Sequence, residues 1–394
     1  MEQTYIDKFD SVWLKALTLG ERAVELCSIS QEAIPNDFGH KRLERWRSKL
    51  PFATDFLFTQ WLQAHQLSVD QLLLLLGEPT DSLRKRHPNK SDWLMQLEQA
   101  FSHPDFITST ADSVSGLYNK QNDHRKGILD IVEPLIRQSL KRFRKGVLLQ
   151  QQSSSNLPFD TEKIERLMMP NLTSVLVEKL LRTMVLEVNV ARLQGVLKGD
   201  TSEARFQHFV ERLHNSDVAL KIMQEYPVLA RLLVITVNQW VNFSLEFLIH
   251  LGADWKAIHS TFTPESDLGC LSQISAGVGD VHREGRSVTI SHFTSGFKLV
   301  YKPHSLKVDT HFAELLNWLN QRGNHSPFWV PKVLDRGNHG WMEFIENHGC
   351  TSQEEVKRFY KRIGEYVALL YVLEATDFHY ENLIASGEHP VLVE

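Results

Sequence analysis

Apolar residues repeat along this chain with two different periods, and the change falls near residue 260. Before it the pattern is helical. Leu43, Trp46 and Leu50, then Phe56, Leu57 and Trp61, recur at the three- and four-residue spacing that puts side chains on one helix face. Ser68-Val69-Asp70-Gln71 has the form of a capping box before the run Leu72 to Leu76, and Gly77 with Pro79 is a stop signal. Five leucines are too few to span a bilayer, so the run predicts core. Gln150 to Asn156 is polar and low in complexity and predicts a loop. Val175 to Leu197 restores a helical pattern that ends near Gly195 and Gly199, and Tyr226-Pro227 opens another helix.

After residue 260 strands enter. Ser287 to Phe293 is rich in β-branched residues, Thr294-Ser295-Gly296 predicts a turn, and Phe297 to Tyr301 resumes a strand, so Lys302 ends the second arm of a hairpin. Val308, Phe312, Leu315, Leu316 and Leu319 mark one face of a helix. Val330 to Leu334 and Trp341 to Ile345 predict two more strands around Asn338-His339-Gly340. Ser352-Gln353-Glu354-Glu355 is a second capping signal. Val356, Phe359, Tyr360, Ile363, Val367, Leu370 and Tyr371 then share a narrow arc, which predicts a helix packed beneath the sheet by that arc. The expected fold is α+β, with a largely helical part over 1–255, broken near 150–160. A lobe over 256–394 with a small antiparallel sheet follows.

Composition narrows the class. The chain has 394 residues, 42% hydrophobic and 23% charged, which suits a globular protein with a large core. A net charge of −5 argues against a general nucleic-acid partner. Cys27, Cys270 and Cys350 are scattered and offer neither a disulfide framework nor zinc spacing, so a reducing cytoplasm is expected. The most apolar stretch, Val228 to His250, is interrupted by Arg231, Asn238, Gln239, Asn242 and Glu246, and predicts a buried helix rather than a membrane span.

The chemistry concentrates in the last third. A strand-borne lysine, Lys302, suits phosphate as a point charge, although a lysine is more often a surface group. Asp377-Phe378-His379-Tyr380-Glu381-Asn382 follows the last long helix and precedes a hairpin that ends on Glu394. In that spacing Asp377 and His379 suit the handling of a hydroxyl proton, and Asn382 and Glu394 suit magnesium. The alternative is a helix-terminating loop with Asp377 as a cap and His379 structural. Gly279 to Ser287 precedes the hairpin, where kinases place a loop over phosphates. Arg286 suits phosphate there, and Asp280 with His282 suits an acid/base pair, against the reading of a polar surface loop. Glu314, the obvious carboxylate partner for Lys302, lies far from the apolar face of its helix and predicts a solvated side chain.

These motifs resemble the dehydratase domain of type 2 lanthipeptide synthetases, the LanM family. The resemblance rests on 375–393, on Gly279-Asp280-Val281-His282-Arg283-Glu284-Gly285-Arg286-Ser287-Val288, on Lys298-Leu299-Val300-Tyr301-Lys302-Pro303 and on 186–195. It runs over most of the chain and is strongest from about residue 170 onward. It implies a lobe similar to lipid kinases, which uses ATP and Mg2+ to phosphorylate serine and threonine of a leader-bearing precursor peptide. Phosphate is then eliminated to give dehydro amino acids. It implies phosphate binding for Lys302, a catalytic loop of Asp377, His379 and Asn382, and the upstream pair Asp280 and His282.

Two departures qualify it. The carboxylate expected after His-Pro-Val-Leu-Val is an aspartate in the family and is Glu394 here. The sequence also carries neither the rest of the kinase-like C-lobe nor the zinc-dependent cyclase. The expectations are therefore a truncated or split synthetase, weakly active or inactive alone, with a complementary C-terminal fragment as a partner. A non-catalytic peptide- or partner-binding remnant, or a kinase-like protein with another substrate, are the alternatives.

Overall fold

The computed structural model describes residues 11–24, 37–49, 51–102, 124–153, 157–277, 283–323, 325–376 and 378–393. The chain forms two compact units, Met1–Gln138 with Leu176–Val237, and Ser139–Val175 with Asn238–Glu394. The helix Pro227–Phe262 runs through residues 255 and 256. The architecture is α+β, helices up to residue 262 followed by a five-stranded antiparallel sheet and a separate two-stranded hairpin.

In the first unit the helices form where caps and apolar spacing agree. Ser68 caps the helix Val69–Gly77 by accepting from the Gln71 amide, and the Gln71 side chain accepts in return from the Ser68 amide. Leu72, Leu73, Leu75 and Leu76 are buried there. The helix Asp55–Ala64 buries Phe58 and Leu62, four residues apart. Phe56 and Leu57, expected on that inner face, are exposed. Trp46, Phe52 and Trp61 pack as aromatic neighbours over the same cluster. Tyr226 precedes Pro227 at the start of the long helix, where a missing amide hydrogen costs nothing.

In the second unit the expected loop at Gln150 is helical. The helix Glu133–Ser153 continues through the glutamines, and Gln150 donates to the Leu248 carbonyl at 2.6 Å. A tertiary partner for the amide outweighs the loop preference of a polar run. Pro227–Phe262 is long and apolar enough to cross a membrane by length and composition, and 56% of its most apolar window is buried in the protein.

The sheet has strand order β1-β2-β3-β5-β4, with β1 Leu271–Ala276, β2 Thr289–Phe293, β3 Lys298–Lys302, β4 Val333–Asp335 and β5 Gly340–Glu343. The edge strand β1 was not legible in the sequence, because exposed polar residues alternate weakly along it. The hairpin is β6 Leu383–Ser386 with β7 His389–Leu392.

One buried polar network joins the long helix to the sheet. Asp254 Oδ2 accepts from Trp341 Nε1 at 2.9 Å and lies 2.7 Å from His339 Nε2, while its Oδ1 pairs with Arg336 at 2.7 Å. His250, one turn earlier, stacks on His339 with ring centroids 3.6 Å apart and lies 2.8 Å from the Tyr301 hydroxyl. Burial, and then the neighbouring His339, hold the His250 pKa below its ordinary value.

Asp254→Ala strips the buried Trp341 and His339, and the exposed Arg336, of one acceptor and should cost about 3 kcal/mol by chemical denaturation, since unpaired buried groups bear their full desolvation penalty. A histidine depressed in the folded state opposes folding once the unfolded chain binds its proton first. Stability should therefore fall as pH drops below the ordinary value of 6.5. His250→Gln should flatten that slope relative to the parent protein in paired thermal melts. Parallel curves would count against the assignment.

Candidate functional site

Lys302 is the last residue of β3 and is only 4% exposed. A buried ammonium needs compensation. It donates to Asp309 Oδ1 at 3.0 Å and to the Val393 carbonyl at 2.5 Å. Asp309 sits in the first turn of the helix Lys307–Arg322. Val393 follows β7, and its amide donates at 3.1 Å to the carbonyl of Asn382. The end of the hairpin thus touches Lys302 with its carbonyl and Asn382 with its amide.

Asn382 is buried and closes a single helical turn, Tyr380–Asn382, in which its amide donates to the His379 carbonyl at 3.1 Å. His379 is exposed and precedes that turn, with Nδ1 accepting from the Glu381 amide at 3.2 Å. Two segments about 80 residues apart in sequence therefore meet, with Lys302 on one and Asn382 on the other joined through Val393. Asp377 and Glu394, expected beside them, lie outside the described residues, as do Asp280 and His282.

The segment carrying Asp280 and His282 is bracketed by described residues. The Gly277 amide donates to the Ser287 hydroxyl at 3.0 Å. Gly285 has φ +78°, and a Cβ there would stand 2.9 Å from Gln239 on the long helix, so a side chain is excluded on both counts. Arg286 does not present a free fork. Its Nε and Nη2 donate to Glu246 at 2.7–3.2 Å and its Nη1 to Glu284 at 2.8 Å. These carboxylates, Glu246 first, raise its pKa further.

The sequence did not identify Asp309, Glu246 or Asp254. The last two had a readable signal: with His250 they form a polar file at four-residue spacing, 246, 250 and 254, inside an otherwise apolar helix. Asp309 had none, because nothing local says that a helix following a strand will start beside its lysine. Glu314 is exposed and pairs locally with His311 at 3.2 Å.

Chemically, the assembled part of the site offers one buried cation, one half-buried carboxylate and one buried amide at the mouth of a hairpin. Residues 226–394 match the family model described as a domain of unknown function (DUF4135). Over 247 residues, 60% of the chain, the sequence is 28% identical to the lacticin 481/lactococcin biosynthesis protein LcnDR2 of Lactococcus lactis subsp. lactis. The chain spans only 26% of that relative.

Asp309→Ala leaves a buried ammonium with one neutral acceptor and should destabilise the protein by about 3 kcal/mol. Lys302→Met in the same background removes the stranded charge and should restore part of the loss. A double variant no more stable than Asp309→Ala would show that the pair is not coupled.

Proposed function

The chain is a relative of the type 2 lanthipeptide synthetases, and from that kinship and its sheet geometry we propose a role in modifying a ribosomal precursor peptide. The chemistry we assign is phosphorylation of serine and threonine hydroxyls with ATP and Mg2+. Elimination follows: the α proton and the phosphate leave, giving dehydroalanine or dehydrobutyrine. Residues 256–394 then serve as a lobe similar to lipid kinases, working in a reducing cytoplasm.

The observation that most supports this reading is the meeting of Lys302 with the hairpin end that also binds Asn382. The donor set fits a magnesium nucleotide, with a fixed cation for phosphate oxygens and an amide oxygen as a hard ligand. When bound, ATP supplies the phosphoryl group and Mg2+ offsets the charge that develops on it. Lys302 would exchange the Val393 carbonyl for phosphate while Asp309 keeps its ammonium oriented. Asn382 and Glu394 would hold the metal. His379 with Asp377 would orient the hydroxyl and take its proton. Asp280 and His282 would serve as the acid/base pair. For Asp377, Glu394, Asp280 and His282 the support is the resemblance alone.

A second reading, a module that binds peptide or partner without turnover, is favoured by a specific observation. Arg286 is taken up by two carboxylates and Lys302 by one carboxylate and a carbonyl, so both cations are engaged within the protein.

Incubation with ATP, Mg2+ and a leader-bearing peptide should give, by mass spectrometry, peptide heavier by phosphate or lighter by water. Lys302→Met and Asn382→Ala should each lower that yield at least a hundredfold, in the range that removal of a transition-state contact produces. A folded protein giving neither product supports the binding module. ADP release with lipid but not peptide would sink the peptide assignment.

A further inference from the structure

Lys15, Arg22 and Arg42 line one cavity in the first unit, and no carboxylate among the described residues pairs with any of them. The cavity, about 310 Å³, is at the small end of ligand-binding sites. Lys15 comes from the turn Leu14–Ala16, Arg22 from the helix Leu19–Ala23 and Arg42 from the helix Asp37–Arg47. Two acids lie near. The Glu78 side chain is only 1% exposed, accepts from Arg86 through both oxygens and accepts from the Ser82 hydroxyl at 2.7 Å. Glu21 takes both terminal nitrogens of Arg231, at 2.6 and 2.9 Å. Each carboxylate is thus matched by a guanidinium outside the trio.

Capping explains part of this arrangement. The helix Val69–Gly77 ends beside the arginines, and a helix C-terminus attracts cations. Arg42 donates to the Leu76 carbonyl at 2.6 Å. Arg22 donates to the carbonyls of Leu17 at 3.2 Å, Lys15 at 3.3 Å and, at 3.5 Å, Leu75. Carbonyls accept hydrogen bonds without cancelling a charge. A guanidinium has five N–H donors, and the Leu76 carbonyl is the only acceptor Arg42 meets among the described residues. Burial, and then the neighbouring Arg42, hold the Arg22 pKa below its ordinary value. Leu17, Leu19, Leu76 and Leu83 supply an apolar wall to the same cavity.

We propose that this cavity binds a phosphate group between the forks of Arg22 and Arg42, with Lys15 at its rim and the leucines against the organic body of a phosphate ester. A guanidinium fork matches phosphate oxygens two at a time. Three charges without a carboxylate partner favour a dianion over a carboxylate ligand. The site lies among helices of the first unit and is separate from Lys302, so it stands whether or not the protein transfers phosphoryl groups.

The probes are inorganic phosphate and phenyl phosphate, titrated by calorimetry into the intact 394-residue protein at low salt. Both should bind saturably, and acetate roughly tenfold more weakly or worse. Tighter binding of phenyl phosphate assigns an ester as the ligand; equal affinities assign free phosphate to the same cations. Arg42→Gln should weaken binding roughly tenfold or more, as loss of a charge-assisted hydrogen bond does. Lys15→Gln should weaken it severalfold, and Arg42→Lys should fall between Arg42→Gln and the parent. Lys15 and Arg42 are exposed residues, so thermal melts without ligand should stay close to the parent, which separates lost binding from lost folding. Lys302→Met should leave the affinity unchanged. The proposal is overturned by the absence of saturable binding, by acetate binding as tightly as phosphate, by indifference to both Arg42→Gln and Lys15→Gln, or by binding that disappears with Lys302→Met.

Discussion

A single buried ammonium organises the mixed part of this protein. Lys302 ends the central strand β3 with almost no exposure, and charge in that position persists only with partners. Asp309 supplies one and the Val393 carbonyl the other. Each ties a different element to β3: the helix that follows it, and the hairpin that arrives some 90 residues later. The hairpin in turn carries Asn382, so the requirement to neutralise one cation draws the candidate chemistry together.

On the other side of the same strand the constraint is polar as well. Tyr301 reaches His250, and His250 stacks on His339, which shares Asp254 with Trp341 and Arg336. Arg286 is held to the same helix by Glu246, one turn before His250. Neighbouring positions of β3 are thus fixed by independent networks, one toward the long helix and one toward the hairpin. Preorganisation of this kind is what the phosphoryl transfer we propose would ask of the protein, because in such reactions positioning and electrostatics supply nearly all the rate.

The last long helix follows a different logic. Its arginines meet Glu388 and the Pro327 carbonyl beside the buried Tyr366, while of the arc expected beneath the sheet Val356, Tyr360, Val367 and Tyr371 are exposed and Phe359, Ile363 and Leu370 are half-buried. A periodicity argument assumes that apolar means inward, and here that assumption fails. The surface that packs within the chain mixes the paired arginines with Tyr366 and Leu369, which join Phe328 and Leu316 in one apolar cluster.

Local chemistry was legible in the sequence. Ser68 and Gln71 form the expected cap, the β2–β3 hairpin turns at Thr294–Gly296, and Lys302 lies at the strand end where alternation placed it. These depend on neighbours a few residues apart, which composition encodes directly. Long-range choices were not. Phe58 rather than Phe56 enters the core, Gln150 stays helical for a carbonyl 98 residues away, and Asp309 becomes the partner of Lys302. Each is decided by which surfaces meet after the chain has folded back on itself, because the free energy of a buried charge or amide depends on atoms that sequence proximity does not supply.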